Sequence, residues 1–214
     1  MSHQKYLDPI IEEFSTGNYY REVYLAKEEY FDKTGIIYED DGEFEQRMCI
    51  FMDWYLFDRD LPGVDLPPVK YYFRKHKNDF ATEELGIYKD LCGTIHSIFR
   101  LKRFSFFGKG LVVTDLFSGK SYKVNDPEMK RGFSRGDLFE ARLIPFQGTL
   151  NFSKGFCFHP TEMESFILSE IKKVRFQDKS RQTKLIMQLA AMKLKHQRFQ
   201  HIDVRHIYTF SSRF

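Results

Sequence analysis

The sequence lacks the features of a secreted, zinc-stabilised or membrane-spanning protein. Only three cysteines occur in 214 residues, Cys49, Cys92 and Cys157. They are far apart and without CxxC spacing, so we expect three reduced thiols. No apolar run approaches the roughly eighteen residues that a membrane helix needs, and the opening segment, MSHQKYLDPIIEEF, has no secretory signal. The sequence therefore predicts a cytoplasmic protein without a membrane span.

Signatures of catalysis and metal binding are lacking as well. There is no GxSxG nucleophile motif. His196, His201 and His206 recur every five residues, whereas metal ligands on one helix face are spaced three or four apart. The sequence therefore predicts no metal site and no cofactor, and it favours a non-enzymatic function.

Phenylalanine, by contrast, is abundant, with 23 residues. Each Phe buries a large apolar area with few rotatable bonds, so a packed core can form. Hydrophobic residues make up 42% and charged residues 29% of the chain, the balance of a globular protein and not of a disordered one. We expect one compact domain.

Charge is distributed unevenly along the chain. The net charge is only +3, but residues 1–60 hold six Lys/Arg against fifteen Asp/Glu, a balance of −9. Residues 171–214 hold eleven Lys/Arg against two Asp/Glu, a balance of +9. This asymmetry indicates either an interaction with an external partner or ends that attract each other, within one chain or across a homodimer.

Apolar spacing divides the chain into three regions. In the first, Phe44, Met48 and Phe51 recur at helical spacing. After Gly93 the segments become rich in aromatic and branched residues and are separated by turns that contain Gly, as is typical of strands. Beyond Pro160 helical spacing returns.

These regions predict an α+β fold. Helices occupy residues 1–92, a small antiparallel β-barrel or curved sheet of about five strands occupies 93–159, and two helices occupy 160–214. Asn78 is a predicted helix cap in the first region, and Asp178 or Ser180 starts the last long helix.

Basic and aromatic residues are interleaved in patterns that fit a polyanion such as nucleic acid. The last helix carries a stripe of Lys and Arg, and FRLKRFSFF, residues 99–107, places three further cations on a strand, Lys102 and Arg103 among them. Cations follow phosphates, and rings stack on unpaired bases. The alternative is amphipathic packing, with rings in the core and cations in solvent. The candidate residues are Arg181, Lys184, Lys195, Arg198, Lys102 and Arg103.

The first functional hypothesis is therefore a binding or adaptor protein with a basic C-terminal face for a protein or polyanion partner. It requires Lys184, Lys195 and Arg198 to be exposed to solvent. If intramolecular ion pairs with the acidic N-terminal helices bury all three, the polyanion version fails.

A second hypothesis starts from the pair Arg131 and Arg135. An RxxxR pair before a small barrel resembles the PilZ signature for cyclic di-GMP, whose phosphates two guanidinium groups can hold. PilZ domains also carry a [D/N]xSxxG turn. Asn151 and Ser153 begin such a turn here, but the glycine comes one position early, at Gly155, so the second arm of the motif is broken.

Three segments resemble an uncharacterised group of bacterial proteins. They are FMDWYLFDR around Trp54, GLVVTDLFSGKSYKV, and GDLFEARLIPFQG. In that group a helical portion with a Trp-centred segment precedes a compact β unit, and some members carry the cysteine-rich zinc motif of the SecA C-terminus. This chain has no such cysteine cluster. The resemblance covers about residues 40–160 and implies a bacterial cytosolic origin, but it implies no activity.

Overall fold

The computed structural model describes residues 2–105, 110–125 and 132–210. Within these residues, eight α-helices and five β-strands follow one another in the predicted order of helices, strands and helices. The α+β fold class is therefore confirmed.

Five helices precede the strands. They are α1 (Gln4–Ser15), α2 (Tyr20–Thr34), α3 (Phe44–Phe57), α4 (Pro68–His76) and α5 (Thr82–Leu91). Helix α3 buries residues around much of its circumference, among them Ile50 and Trp54, as its apolar spacing predicts. The predicted cap at Asn78 is wrong. Helix α5 begins at Thr82, after Ala81, whose backbone N–H donates to the Glu84 carboxylate at 3.2 Å.

Five strands close into a barrel. They are β1 (Ile95–Phe104), β2 (Leu111–Asp115), β3 (Ser121–Val124), β4 (Leu138–Phe146) and β5 (Thr149–His159), in the order β1-β2-β3-β5-β4. Strand β4 pairs with both β5 and β1, which closes the sheet. The expectation of wholly antiparallel pairing is wrong at one junction, because β3 and β5 pair in parallel at Val124 and Leu150. This strand order is that of a five-stranded Greek-key barrel of the OB type.

Three helices follow the barrel instead of the predicted two. They are α6 (Glu164–Val174), α7 (Lys179–Arg198) and the single turn α8 (Val204–Ile207). The Asp178 carboxylate accepts the Arg181 backbone N–H at 2.9 Å, so Asp178 is the N-cap of α7, one of the two predicted starts.

Phenylalanine rings fill the inside of the barrel. Phe133 meets Phe139 edge to face, with ring centroids 5.1 Å apart, and Phe152 meets Phe156 at the same separation. All four rings are buried. Edge-to-face pairs add stabilisation beyond the apolar area that they bury. The abundance of Phe in the sequence therefore has a direct structural use.

Helices cover one side of the barrel from outside. Helix α3 packs on β5, α5 packs on β4, and α7 contacts β1 and β5. The approach of α3 is closest at Gly155, where an added Cβ atom would lie 2.8 Å from the backbone nitrogen of Ile50. Because helices cover its outer face and the Phe core lies inside, β4 is buried along almost its whole length.

Two further findings bear on the composition. Among the described residues, no helix is long and apolar enough to cross a membrane. The three cysteines are free, with Cys157 buried and Cys49 and Cys92 half-buried.

Candidate functional site

The basic residues predicted on the last helix do not form one free face. The Arg198 guanidinium donates to the Asp41 carboxylate at 2.6 Å and to the Ile36 carbonyl oxygen at 2.7 Å, so it is bound to the acidic N-terminal region. The other three residues, Arg181, Lys184 and Lys195, are exposed and form no ion pair with any residue that the structure describes. They are spread over about 21 Å of α7.

The outer face of β1–β3 carries a second group of cations. A β-bulge interrupts β1 between Leu101 and Arg103, and Lys102 is the extra residue in it. Both Lys102 and Arg103 are exposed. A bulge re-aims the side chains around it, and this one places two consecutive cations in solvent.

A third cation joins them through the strand register. Arg103 lies opposite Val112, and Val112 lies opposite Lys123. Leu111 and Val113 point into the barrel core, so Val112 and its two partners point outward. Arg103 and Lys123 therefore flank Val112 on the outer face, about 10 Å apart by strand spacing.

Arg135 adds a fourth cation at the edge of this group. The backbone N–H of Gly136 donates to the carbonyl oxygen of Leu101 at 3.0 Å, which holds the exposed Arg135 near the bulge at Lys102. Arg131, its predicted partner, lies outside the described residues. We call Lys102, Arg103, Lys123 and Arg135 the basic barrel face.

No exposed carboxylate opposes these cations on β1, β2 or β3. Asp115 is the only acidic residue of the three strands, and it is buried, where it accepts the Phe117 backbone N–H at 3.0 Å. Arg100, farther along β1, is paired with Glu164 of α6. The ring of Phe104, next to Arg103, is 37% exposed at the rim of the barrel. The basic barrel face thus carries positive charge that no carboxylate of β1–β3 offsets. Phe104 lies opposite Leu111, which points into the barrel core, so its ring is on the inner side of the sheet at the rim and not on the basic barrel face.

The two arms of the predicted nucleotide site are not brought together. Arg135 precedes β4, which starts at Leu138, whereas Asn151 pairs with Ile144 toward the other end of that strand. Six strand residues span about 20 Å. Ser153 is buried on the side of β5 that α3 covers.

Sequence reasoning missed a buried ionic cluster between the end of α3 and the outer face of β1 and β4. Its members are Asp58, His96, Glu140 and Arg142. Arg142 binds Asp58, and the Nδ1 atom of His96 lies 3.5 Å from the same carboxylate. The Nε2 atom of His96 lies 2.9 Å from Glu140. The register places His96 directly opposite Arg142.

Two members of the ionic cluster have shifted pKa values. Burial raises the pKa of Asp58, but Arg142 and His96 outweigh burial and hold it well below its usual range. Burial lowers the pKa of His96, but its contacts with Asp58 and Glu140 more than compensate, so it is raised. The cluster therefore favours an ionised Asp58 beside a protonated His96.

One signal in the sequence could have revealed this cluster. In LFEARLIPF the apolar residues alternate with Glu140 and Arg142, which predicts that these two side chains face solvent. Both are instead only 2% exposed, because helices cover this side of the barrel. An acid and a base two residues apart point to the same face of a strand, and each needs an opposite charge if that face is covered.

The described residues hold no group of three or more His, Cys, Asp or Glu side chains placed to bind a metal ion. The fold and the site thus define an α+β protein with a basic barrel face and a buried ionic cluster under its helices. The chain belongs to a family of unknown function, DUF7986, whose family model matches residues 8–198. No curated protein and no solved structure matches the chain. The resemblance to bacterial proteins with a SecA-type zinc motif stays a prediction.

Proposed function

We propose that the protein binds single-stranded nucleic acid through the basic barrel face. The observation that carries this proposal is the strand register, which puts Arg103 and Lys123 on either side of Val112 on an exposed face. Lys102 and Arg135 extend the same patch, and no exposed carboxylate of β1–β3 neutralises it. Such a patch attracts phosphates, and the attraction grows with the counterions that binding releases.

A single strand fits this surface better than a duplex. Reading a duplex groove takes a protruding helix or ribbon, whereas the outer face of a barrel can follow one backbone while exposed rings stack on unpaired bases. The cations carry this proposal, because Phe104, 37% exposed at the rim, pairs with the inward-pointing Leu111 and not with the outer face. A fold-level analogy points the same way, because OB-type barrels bind oligonucleotides on the face of strands 2 and 3.

The other predicted sites have less support. In the α7 stripe, Arg198 is held in the ion pair with Asp41. Of the remaining cations, Arg181 and Lys184 are neighbours, but Lys195 lies about 17 Å farther along the helix. Asn151 and Ser153 lie away from Arg135, so cyclic di-GMP binding lacks its second arm. A protein partner and a homodimer stay predictions.

Fluorescence anisotropy with labelled single-stranded DNA and RNA twelve-mers tests the proposal, at 50 and 200 mM salt. With four phosphate contacts, the logarithm of the association constant falls with the logarithm of the salt concentration at a slope of about −2.8. Affinity therefore falls about 50-fold between these two concentrations. The double variant Arg103→Gln/Lys123→Gln keeps two contacts, and its affinity falls only about 7-fold. The control Arg181→Gln/Lys195→Gln removes the same charge from α7 and leaves the slope unchanged.

Two results contradict the proposal. Absence of binding to either oligonucleotide at 50 mM salt excludes nucleic acid as the ligand. Binding that weakens in the α7 variant and not in the barrel variant assigns the interaction to the last helix, so the basic barrel face is then wrong.

A further inference from the structure

A cavity of about 730 Å³ opens between α2, α3 and the first turns of α7. Its volume lies within the range of small-molecule sites. The residues that give it its chemistry are Lys33, Trp54, Asp58, Lys179, Thr183 and Lys184. None of these belongs to the basic barrel face, so the cavity is a separate site.

The walls of this cavity are predominantly positive. Lys179 and Lys184 contribute ammonium groups from α7, and Lys33 contributes one from α2. Lys33 is paired with Glu29 of its own helix at 2.8 Å, while Lys184 has no ion pair among the described residues. Asp58 is the only lining carboxylate, and Arg142 already neutralises it. An anion can therefore enter without meeting an uncompensated negative charge.

The spacing along α7 brings these groups together. Lys179 and Thr183 are four residues apart, as are Ser180 and Lys184, so they form two neighbouring rows on the first two turns. Two hydroxyl groups and two ammonium groups thus line the cavity from these two rows. This combination of donors suits a phosphate dianion.

Lys179 connects the cavity to the ionic cluster. Its Nζ atom donates to the carbonyl oxygen of His96 at 2.8 Å, which uses one of three donors and fixes the ammonium group. Burial lowers the pKa of Lys179, and an anionic ligand would favour its charged form.

The other part of the cavity is suited to an organic group. The Trp54 side chain and Met187 provide apolar wall. The Asp58 side chain keeps 19% of its surface exposed, so its carboxylate can still accept a hydrogen bond from a ligand hydroxyl or amine. We infer that this cavity binds a phosphorylated small molecule, with the phosphate between Lys179 and Lys184 and the organic part against Trp54 and Asp58.

The fluorescence of Trp54 tests this inference, because it is the only tryptophan of the chain and lies in the cavity wall. The intact protein is titrated with ribose 5-phosphate, inorganic phosphate and ribose, none of which absorbs at the wavelengths used. We expect a saturable change with ribose 5-phosphate, at an affinity at least about tenfold above those of the other two compounds.

The variant Lys184→Gln should weaken the binding of ribose 5-phosphate about tenfold, the loss of one charge-assisted hydrogen bond. Lys184 is exposed, so this variant is expected to fold. Lys195→Gln, the same change at an exposed lysine of the same helix outside the cavity, should bind as the unmodified chain does.

Three results would overturn the inference. They are no saturable change up to 10 mM ribose 5-phosphate, equal affinities for ribose 5-phosphate and either fragment, and an equal loss of affinity in both lysine variants. Thr183→Val gives a second check on the phosphate position, since it should also weaken binding of ribose 5-phosphate while leaving ribose unaffected.

Discussion

Removing the Asp58 carboxylate should destabilise the protein strongly, because Arg142 would lose its counter-charge inside the fold. In Asp58→Ala the Arg142 guanidinium, which is 2% exposed, keeps the Thr94 hydroxyl at 2.9 Å as its side-chain hydrogen-bond partner. Breaking a buried pair from one side costs about 3–5 kcal/mol. Because the cavity lets some water reach the site, we expect the lower end, about 3 kcal/mol.

Removal of Asp58 and removal of Arg142 should destabilise the protein by different amounts. In Arg142→Met the charge left behind is Asp58, whose side chain is 19% exposed and can be hydrated from the cavity. This variant should therefore lose less stability than Asp58→Ala. The double variant Asp58→Ala/Arg142→Met leaves neither charge without its partner, so its loss of stability should be smaller than the sum of the two single losses.

Urea denaturation followed by Trp54 fluorescence measures these free energies of unfolding, and Asp60→Ala, an exposed neighbour, is the control. The pH dependence adds a second test. Since the folded pKa of Asp58 is lowered, its contribution is present above the usual carboxylate pKa of about 4 and disappears as the pH falls below it. A loss under about 1 kcal/mol at pH 7, or a loss that does not shrink in acid, would refute the reasoning.

Two other predictions concern single residues of the helices and the barrel. Burial raises the pKa of Asp53 to about 6 despite the opposing charge of Arg142. Folding therefore favours the protonated form of Asp53, and stability is lost as the pH rises through 6. The free energy of unfolding of Asp53→Asn, measured by urea denaturation, should equal that of the unmodified chain at pH 4 and exceed it by about 1–3 kcal/mol at pH 7. An equal difference at both pH values would contradict this prediction. Gly155→Ala should lower the stability by about 1–3 kcal/mol, since its methyl group meets the backbone of Ile50. Gly86→Ala, within α5 and with no atom near its added Cβ, should raise the stability by about 0.5–1 kcal/mol. Thermal unfolding of both variants measures these changes, and a stabilising Gly155→Ala would show that α3 shifts freely on β5.

Local patterns predicted the elements of this fold well. The buried helix α3 follows from the spacing of Phe44, Met48 and Phe51, and the strands follow from aromatic and branched residues between turns. Such local patterns do not predict which strands pair when they are distant in the sequence. Strand β3 has only four residues, and nothing in them indicates a parallel partner at Leu150.

The sites were harder to predict for the same reason. Lys102 and Arg103 were candidates from the sequence, but their meeting with Lys123 and Arg135 depends on a bulge, a register and a backbone hydrogen bond. Glu140 and Arg142 have the alternation of an exposed strand face, and only the helices that cover this face bury both side chains and bring Asp58 to Arg142. The sequence indicated that opposite charges gather at its two ends, and Arg198 and Asp41 show one point where those ends meet.

That last contact also sets an order of events during synthesis. Asp41 and Arg198 are separated by 157 positions, so at ribosomal rates of about 5–20 residues per second the arginine follows roughly 8–30 s after the aspartate. Helix α2 packs against α7, so the surface of α2 that contacts α7 stays uncovered until α7 has been synthesised. The nascent chain therefore spends most of its translation with an incomplete helical layer, and chaperones that shield apolar surface would act on it in this window.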